Sequence, residues 1–194
     1  MPRLTLIGYR GTGKSTVAAL VAARLGTAVC DADRVLEERL GCTIGDLIAT
    51  RGERVFRDAE ESLLGELLDG CAGVLSTGGG VVLRPANRLA LRRLGRPVVW
   101  LDARADVVRG RLAADPGTAL HRPGLTGSDP LAEVEAALSL RLPLYASCAD
   151  LRVDTSAVTP EAVAVTVATW LATEWPAAVT AAATRAGTAS WGPP

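Results

Sequence analysis

The feature that most narrows the possible folds is the segment from Gly8 to Ser15, which reads GYRGTGKS. It matches the pattern GxxxxGK[ST], which a chain of this length contains by chance with a probability on the order of 1%. The run from Leu4 to Ile7 before it is apolar, and apolar residues from Val17 to Leu25 recur at helical spacing. This order of strand, glycine loop and helix predicts a phosphate-binding loop. Glycines let successive N–H groups point at an anion, and the helix adds its positive end.

Two side chains of this loop carry chemistry. Lys14 can reach the β- and γ-phosphates of a nucleotide as a compact charge, and the Ser15 hydroxyl can bind Mg²⁺. Lys14 is also the only lysine among the 21 lysines and arginines of the chain. A lysine at this position, where every other cation is arginine, supports the interpretation as a phosphate-binding loop. We expect the loop to contact ATP through Gly11, Thr12, Gly13, Lys14, Ser15 and Thr16.

The rest of the chain alternates between short apolar runs and helical patterns. Further strands are predicted around residues 28–30, 74–76, 98–101 and 151–153. Strands that alternate with helices imply right-handed crossovers and a parallel sheet. We therefore predict a three-layer α/β fold with a five-stranded parallel sheet and helices on both faces.

The length of 194 residues is typical of one domain, which we place at residues 1–172. Residues 113–129 are polar and rich in proline and glycine, and a loop of this length inside a compact domain predicts a mobile lid. Residues 173–194 are rich in Ala and Thr, and we expect a flexible C-terminal tail.

Charge and cysteine content limit the partners and the compartment. The 21 cationic and 21 acidic side chains cancel, so no global basic field is available to hold nucleic acid or an anionic membrane. No apolar run reaches membrane-spanning length. Cys30, Cys42, Cys71 and Cys148 are scattered without metal-binding spacing and indicate reduced thiols. We expect a cytoplasmic monomer that binds neither nucleic acid nor a membrane.

Carboxylates follow two of the predicted strands. Asp31 and Asp33 would lie on the same side of an extended segment, near the sheet edge that carries the phosphate loop. One could approach a metal ion and the other an acceptor hydroxyl, or Asp33 could merely cap the following helix. Asp102 imitates the acidic residue of a Walker B strand, but helix capping explains it equally well, so we assign it no metal role.

Two further patterns remain ambiguous when each is read alone. Arg57 lies three residues before Glu60 and four before Glu61, a spacing that also suits an exposed ion pair on a helix. Three consecutive glycines at positions 78–80 increase the entropy that the chain loses on folding. Such a run is therefore expected where the backbone must approach another group closely, although a tight strand exit would also use it.

Taken together, these motifs resemble the shikimate kinase family over roughly residues 3–171. The diagnostic segments are the phosphate loop, DAD at 31–33, GERVFRDAEE at 52–61, GGG at 78–80, HRP at 121–123 and RLPLY at 141–145. The resemblance implies a nucleoside-monophosphate-kinase-like fold with substrate-binding helices over about residues 33–68. It also implies transfer of the γ-phosphoryl group of ATP to the 3-hydroxyl of shikimate, in chorismate and aromatic amino-acid biosynthesis, with one Mg²⁺ per monomer.

Roles follow from the same resemblance. Asp33 would hold the acceptor hydroxyl and accept its proton, and Asp31 would act with Ser15 on the metal side. Arg57 and Arg141 would grip the shikimate carboxylate, since a planar carboxylate pairs best with guanidinium forks. The backbone N–H groups of Gly79 and Gly80 would contact the substrate, and Glu60 would orient Arg57.

The nucleotide side is completed by three residues beyond the loop. Arg122, in the predicted lid, would act with Lys14 on the γ-phosphoryl group, while Arg111 and Pro160 would contact ATP near the adenine. The segment between Arg111 and Arg122 is a few residues longer than is usual for the family. His121, the only histidine, is interpreted as a polar loop residue. A gluconate-type sugar-acid kinase and a non-catalytic nucleotide-binding module are the alternatives.

Overall fold

The protein was studied as a computed structural model that describes residues 1–114 and 130–180. Its centre is a five-stranded, all-parallel sheet in the order β2-β3-β1-β4-β5. The strands are β1 (Leu4–Ile7), β2 (Val29–Asp31), β3 (Val74–Ser76), β4 (Val98–Asp102) and β5 (Leu151–Asp154). The predicted three-layer α/β fold with five parallel strands is confirmed.

Helices connect consecutive strands and close the chain. Those from the phosphate loop to β3 are α1 (Lys14–Leu25), α2 (Ala32–Leu40), α3 (Ile44–Arg51) and α4 (Glu53–Gly70). Those that follow are α5 (Pro85–Leu94), α6 (Ala105–Ala114), α7 (Pro130–Ala146), α8 (Pro160–Glu174) and α9 (Pro176–Thr180).

Alternating side chains of the central strands feed two cores, one on each face of the sheet. Leu6 of β1 and Val99 of β4 pack with residues of α1 and α8. Ile7 and Trp100, their neighbours in sequence, pack on the other face with residues of α2 to α5 and α7. This period of two places helices on both faces, as predicted.

The order and register of the strands bring the loops that carry the candidate residues to one edge of the sheet. β1 pairs with β3 on one side and β4 on the other, with Leu6 opposite both Ser76 and Val99. Since all strands run in parallel, the loops after β1, β2, β3 and β5 leave the sheet at one edge. In an open parallel sheet, that edge is where ligands bind.

The prediction of four reduced thiols is wrong in this structure. Cys30 in β2 and Cys71, just after α4, form a disulfide with a Cα–Cα distance of 6.4 Å, while Cys42 and Cys148 are free. The two cysteines are 41 residues apart in sequence, and the pairing of β2 with β3, which begins three residues after Cys71, brings their segments side by side. Sequence spacing therefore carried no signal for the bond.

Two proposed helix caps are also corrected. The cap of α2 is Asp31, whose side chain accepts a hydrogen bond from the Arg34 amide, so Asp33 does not serve as the cap. Asp102 ends β4 and pairs with Arg152 at 2.6 Å, whereas the next helix begins only at Ala105.

The predicted boundary after residue 172 falls within α8, and the short helix α9 follows, with Ala178 and Val179 packed against the core. Most of the predicted lid, from residue 115 to 129, and residues 181–194 of the predicted tail lie outside the described residues. Within the described part of the chain, no helix combines the length and apolar character needed to cross a bilayer.

Candidate active site

The phosphate loop connects β1 to α1 and has the backbone that its glycines predict. Gly11 and Gly13 adopt left-handed φ values of 77° and 90°, which side-chain-bearing residues rarely adopt. The Thr12 hydroxyl donates to the Tyr9 carbonyl at 2.8 Å, and the Lys14 ammonium donates to the same oxygen at 2.9 Å. Lys14 is nine-tenths buried, so its charge is held inside the loop.

Ser15 and Asp31 meet at the start of α1. The Ser15 hydroxyl donates to the Asp31 carboxylate at 2.7 Å, and Ser15 itself is exposed. A hydroxyl and a carboxylate oxygen at the mouth of a phosphate loop are ligands of the kind that Mg²⁺ accepts. Thr16, the next residue of α1, is also exposed.

Asp33 and Glu60 converge on the first glycine after β3. A Cβ atom at position 78 would lie 2.8 Å from the Asp33 carboxylate and 2.7 Å from that of Glu60. Gly78 is buried. The missing side chain is therefore what allows both carboxylates to approach the backbone, as the three-glycine pattern indicated.

Arg57 is fixed by two carboxylates from its own helix. One terminal nitrogen of its guanidinium donates to Glu60 at 2.7 Å, and the other donates to Glu53 at 3.0 Å. The expected Arg57–Glu60 pair is confirmed. Glu61, the other candidate, pairs instead with Arg84 at 2.9 Å. The Glu53 contact was missed, although its spacing of four residues is the usual one for a helical ion pair.

Gly80 lies directly against this guanidinium. A Cβ atom at position 80 would be 2.5 Å from Cζ of Arg57 and 2.6 Å from one terminal nitrogen, closer than any real side chain allows. The side chain of Arg57 also lies over the Phe56 ring, 4.7 Å from its centroid. Arg57 is thus held in one place beside the glycine backbone.

Gly79 links the phosphate loop to α7. Its carbonyl accepts hydrogen bonds from Arg141, at 3.3 Å, and from the Tyr145 hydroxyl. Burial raises the pKa of Tyr145 despite the nearby Arg141 charge, so the phenol stays neutral and remains a donor. Sequence reasoning gave Tyr145 no role, although its spacing of four residues from Arg141 places both on one helix face.

Arg111 joins the phosphate loop to the end of β5. It donates to the Gly11 carbonyl at 3.2 Å and to the Thr155 hydroxyl and carbonyl at 3.1 and 2.6 Å. The buried Thr155 hydroxyl also contacts the Thr12 carbonyl at 3.2 Å. Thr155 was missed, because only the sheet order brings it to the loop. Pro160 begins α8 and is exposed.

The structure therefore brings Lys14, Ser15, Asp31, Asp33, Arg57, Gly79, Gly80, Arg111 and Arg141 to one edge of the sheet. Arg122 lies outside the described residues, as does His121. A phosphate loop on one side and a guanidinium and carboxylate pocket on the other define a P-loop kinase of the three-layer α/β class.

Comparisons with known proteins identify the family. A family model described as shikimate kinase matches residues 10–172. Shikimate kinases from Rhodopirellula baltica and Symbiobacterium thermophilum are 46% and 42% identical, over 79% and 78% of this chain and 81% and 86% of theirs. The Acinetobacter baumannii shikimate kinase, solved in complex with shikimate, superimposes with a TM-score of 0.82 at 30% identity, covering 89% of this chain and 93% of that one. The chain belongs to the shikimate kinase family.

Proposed function

We propose that this protein transfers the γ-phosphoryl group of ATP to the 3-hydroxyl of shikimate, giving shikimate 3-phosphate and ADP. The observation that carries the proposal is the contact between Gly80 and Arg57. A guanidinium held by Glu53 and Glu60 lies against the glycine run that borders the phosphate loop. Such a fixed fork suits a small acid better than a neutral sugar.

Arg57 and Arg141 supply the charge that binds the acceptor carboxylate. Arg57 reaches the pocket from α4, and Arg141 reaches it from α7 through its hydrogen bond to the Gly79 carbonyl. The two arginines therefore contact adjacent glycines: Arg57 lies against Gly80, and Arg141 donates to the carbonyl of Gly79. With backbone N–H groups of Gly79 and Gly80 directed to the substrate, the pocket fixes where the acceptor ring lies and which hydroxyl faces the nucleotide.

Asp33 is assigned as the group that accepts the proton of the acceptor hydroxyl. It lies in the first turn of α2, beside Gly78, on the same sheet edge as the phosphate loop. A carboxylate within hydrogen-bond reach of the attacking hydroxyl orients it and takes its proton as the bond to phosphorus forms. Asp31 caps the helix, so Asp33 is not needed as the cap.

Ser15 and Asp31 are assigned to Mg²⁺, Asp31 through water. Their oxygen atoms fit the ion, which usually keeps several waters and binds the substrate phosphates rather than a full protein cage. When bound, Mg²⁺ neutralises phosphate charge. Lys14 holds the β- and γ-phosphates, and Arg111 braces the loop. Arg122 is assigned to the γ-phosphoryl group on the basis of the sequence motif.

We further propose that the protein is a monomer of the cytoplasm, whose ligands are ATP and shikimate and not nucleic acid or membranes. The balanced charge of the chain supports this assignment.

The proposal is tested by coupled measurement of ADP release with MgATP and a panel of hydroxy-acid acceptors. We expect shikimate to give the highest kcat/KM and gluconate to give none above background. Lys14→Met serves as the inactive control. Preference for another acid, or ADP release that does not depend on shikimate, would contradict the proposal.

A further inference from the structure

Arg10 is a second cation of the phosphate loop, between Tyr9 and Gly11. Its Nε atom is buried and has no hydrogen-bond partner among the residues that the structure describes. A guanidinium carries five N–H donors, and a buried donor without an acceptor lowers stability. Burial of this donor therefore lowers stability unless an acceptor meets it.

The position of Arg10 is at the junction between the nucleotide side and the acceptor side. A Cβ atom at Gly79 would lie 2.9 Å from the Arg10 amide nitrogen, so the two backbones touch. The guanidinium carbon of Arg10 is 5.9 Å from the centroid of the Tyr9 ring, and that of Arg141 is 5.1 Å from the same centroid. Arg10 thus shares its aromatic neighbour with an acceptor-binding residue.

The charge around Tyr9 is unbalanced. Arg57 has two carboxylates, but neither Arg10 nor Arg141 forms an ion pair within residues 1–114 and 130–180. Two guanidinium groups beside the single aromatic ring of Tyr9 favour anions as ligands. The acceptor carboxylate, assigned to Arg57 and Arg141, is one such anion. A second anion exists on the acceptor only once the phosphoryl group has been transferred.

We propose that Arg10 binds the phosphoryl group on its acceptor side, during transfer and in the phosphomonoester product. In this step the acceptor oxygen forms a bond to the γ-phosphorus. The bond from that phosphorus to the β,γ-bridging oxygen breaks, and its electron pair leaves with ADP. The acceptor proton goes to Asp33, and Arg10 donates hydrogen bonds to the non-bridging oxygens of the moving group. The inference rests on the proposed shikimate kinase function.

The two cations of the phosphate loop are therefore assigned to different ligands. Lys14 is buried on the Tyr9 carbonyl and serves the nucleotide, while Arg10 adjoins Gly79 and serves the product. Loss of the Arg10 guanidinium should then weaken binding of the phosphorylated acceptor far more than binding of the acceptor or of ATP.

The test compares Arg10→Met and Arg10→Lys with Arg24→Met, which removes an exposed arginine of α1 away from the site. Affinities for shikimate and for shikimate 3-phosphate are measured by calorimetry with ADP present, alongside steady-state kinetics and thermal unfolding. We expect Arg10→Met to weaken shikimate 3-phosphate by about tenfold or more and to lower kcat, with shikimate affinity and the KM for ATP changed less than about twofold. The Lys variant should recover part of the product affinity, and Arg24→Met should match the unmodified protein.

Equal weakening of shikimate and shikimate 3-phosphate, or no change in either, would overturn the assignment of Arg10. If Arg10→Met does not fold, Arg10→Lys decides the question, because it keeps the charge and loses the fork. It should then bind shikimate 3-phosphate more weakly than the unmodified protein does and bind shikimate with unchanged affinity. Failure of the proposed function is seen separately, as an unmodified protein that neither phosphorylates shikimate nor binds its phosphate ester.

Discussion

Substitution of Gly80 by alanine tests the acceptor site through a residue that carries no charge. The added Cβ atom would lie 2.5 Å from Cζ of Arg57, whereas non-bonded heavy atoms settle at about 3.5 Å or more. The guanidinium must therefore retreat by about 1 Å. A shift of this size is enough to lengthen its 2.7 Å bond to Glu60, and such bonds weaken beyond about 3.2 Å.

The magnitude follows from what Arg57 is assigned to bind. A hydrogen bond to a charged group contributes about 1.5–3 kcal/mol, so a displaced fork should raise the KM for shikimate roughly 10- to 100-fold. The KM for ATP should change less than about twofold, since the phosphate loop is untouched. Glu60, whose side chain is only 8% exposed, loses its short hydrogen bond to Arg57, so the unfolding free energy should fall by about 1–3 kcal/mol.

Steady-state kinetics with each substrate varied, together with urea unfolding, measure these quantities. The matched control is Gly65→Ala in the same helix as Arg57, where a Cβ atom meets nothing within 4 Å. That change should leave both KM values unaltered and stabilise α4 by about 0.5–1 kcal/mol. A folded Gly80→Ala protein with normal shikimate KM, or with both KM values raised equally, would refute the assigned role of Arg57.

Four further changes address other parts of the site and fold. Tyr145→Phe removes one buried hydroxyl, so the shikimate KM should rise about 3- to 10-fold while kcat stays near normal; an unchanged KM would show that the bond does not matter. Asp33→Asn should lower kcat by roughly 10²–10⁴ while calorimetry shows normal binding of a non-hydrolysable ATP analogue, and near-normal turnover would remove Asp33 as the proton acceptor. Arg111→Ala should raise the KM for ATP about tenfold with little change for shikimate, and the reverse pattern would contradict its place on the nucleotide side. Reduction of the Cys30–Cys71 bond should lower the unfolding free energy by about 4 kcal/mol, the chain-entropy value for a loop of this length, and equal urea midpoints with and without reductant would argue against the bond.

Local signals in the sequence were sufficient for the fold and for the phosphate loop. The apolar runs and the glycine pattern each act over a few residues, so β1, the loop and α1 are predictable from their own segments. The Arg57–Glu60 pair is equally local, because three residues separate neighbours on one helix face. Consecutive glycines indicate that another group packs on the backbone, so a close approach at Gly78 and Gly80 was predictable, although the groups that make it were not.

What was missed depends on contacts between segments far apart in sequence. The Cys30–Cys71 bond and the Arg111–Thr155 contacts exist because strand order places their segments side by side, and no local pattern records that order. Whether Asp33 serves as a helix cap was also open, since this depends on where the helix begins; the observed cap is Asp31, two residues earlier. These roles needed the three-dimensional arrangement.

The most direct test of the acceptor site is to identify the product made from MgATP and shikimate by the full chain, using phosphorus and proton NMR. The arrangement of Asp33, Arg57 and the glycine run predicts a phosphomonoester on the 3-hydroxyl, formed in step with ADP. Phosphate on a different hydroxyl, or no phosphorylated shikimate from protein that still binds ATP, would contradict it.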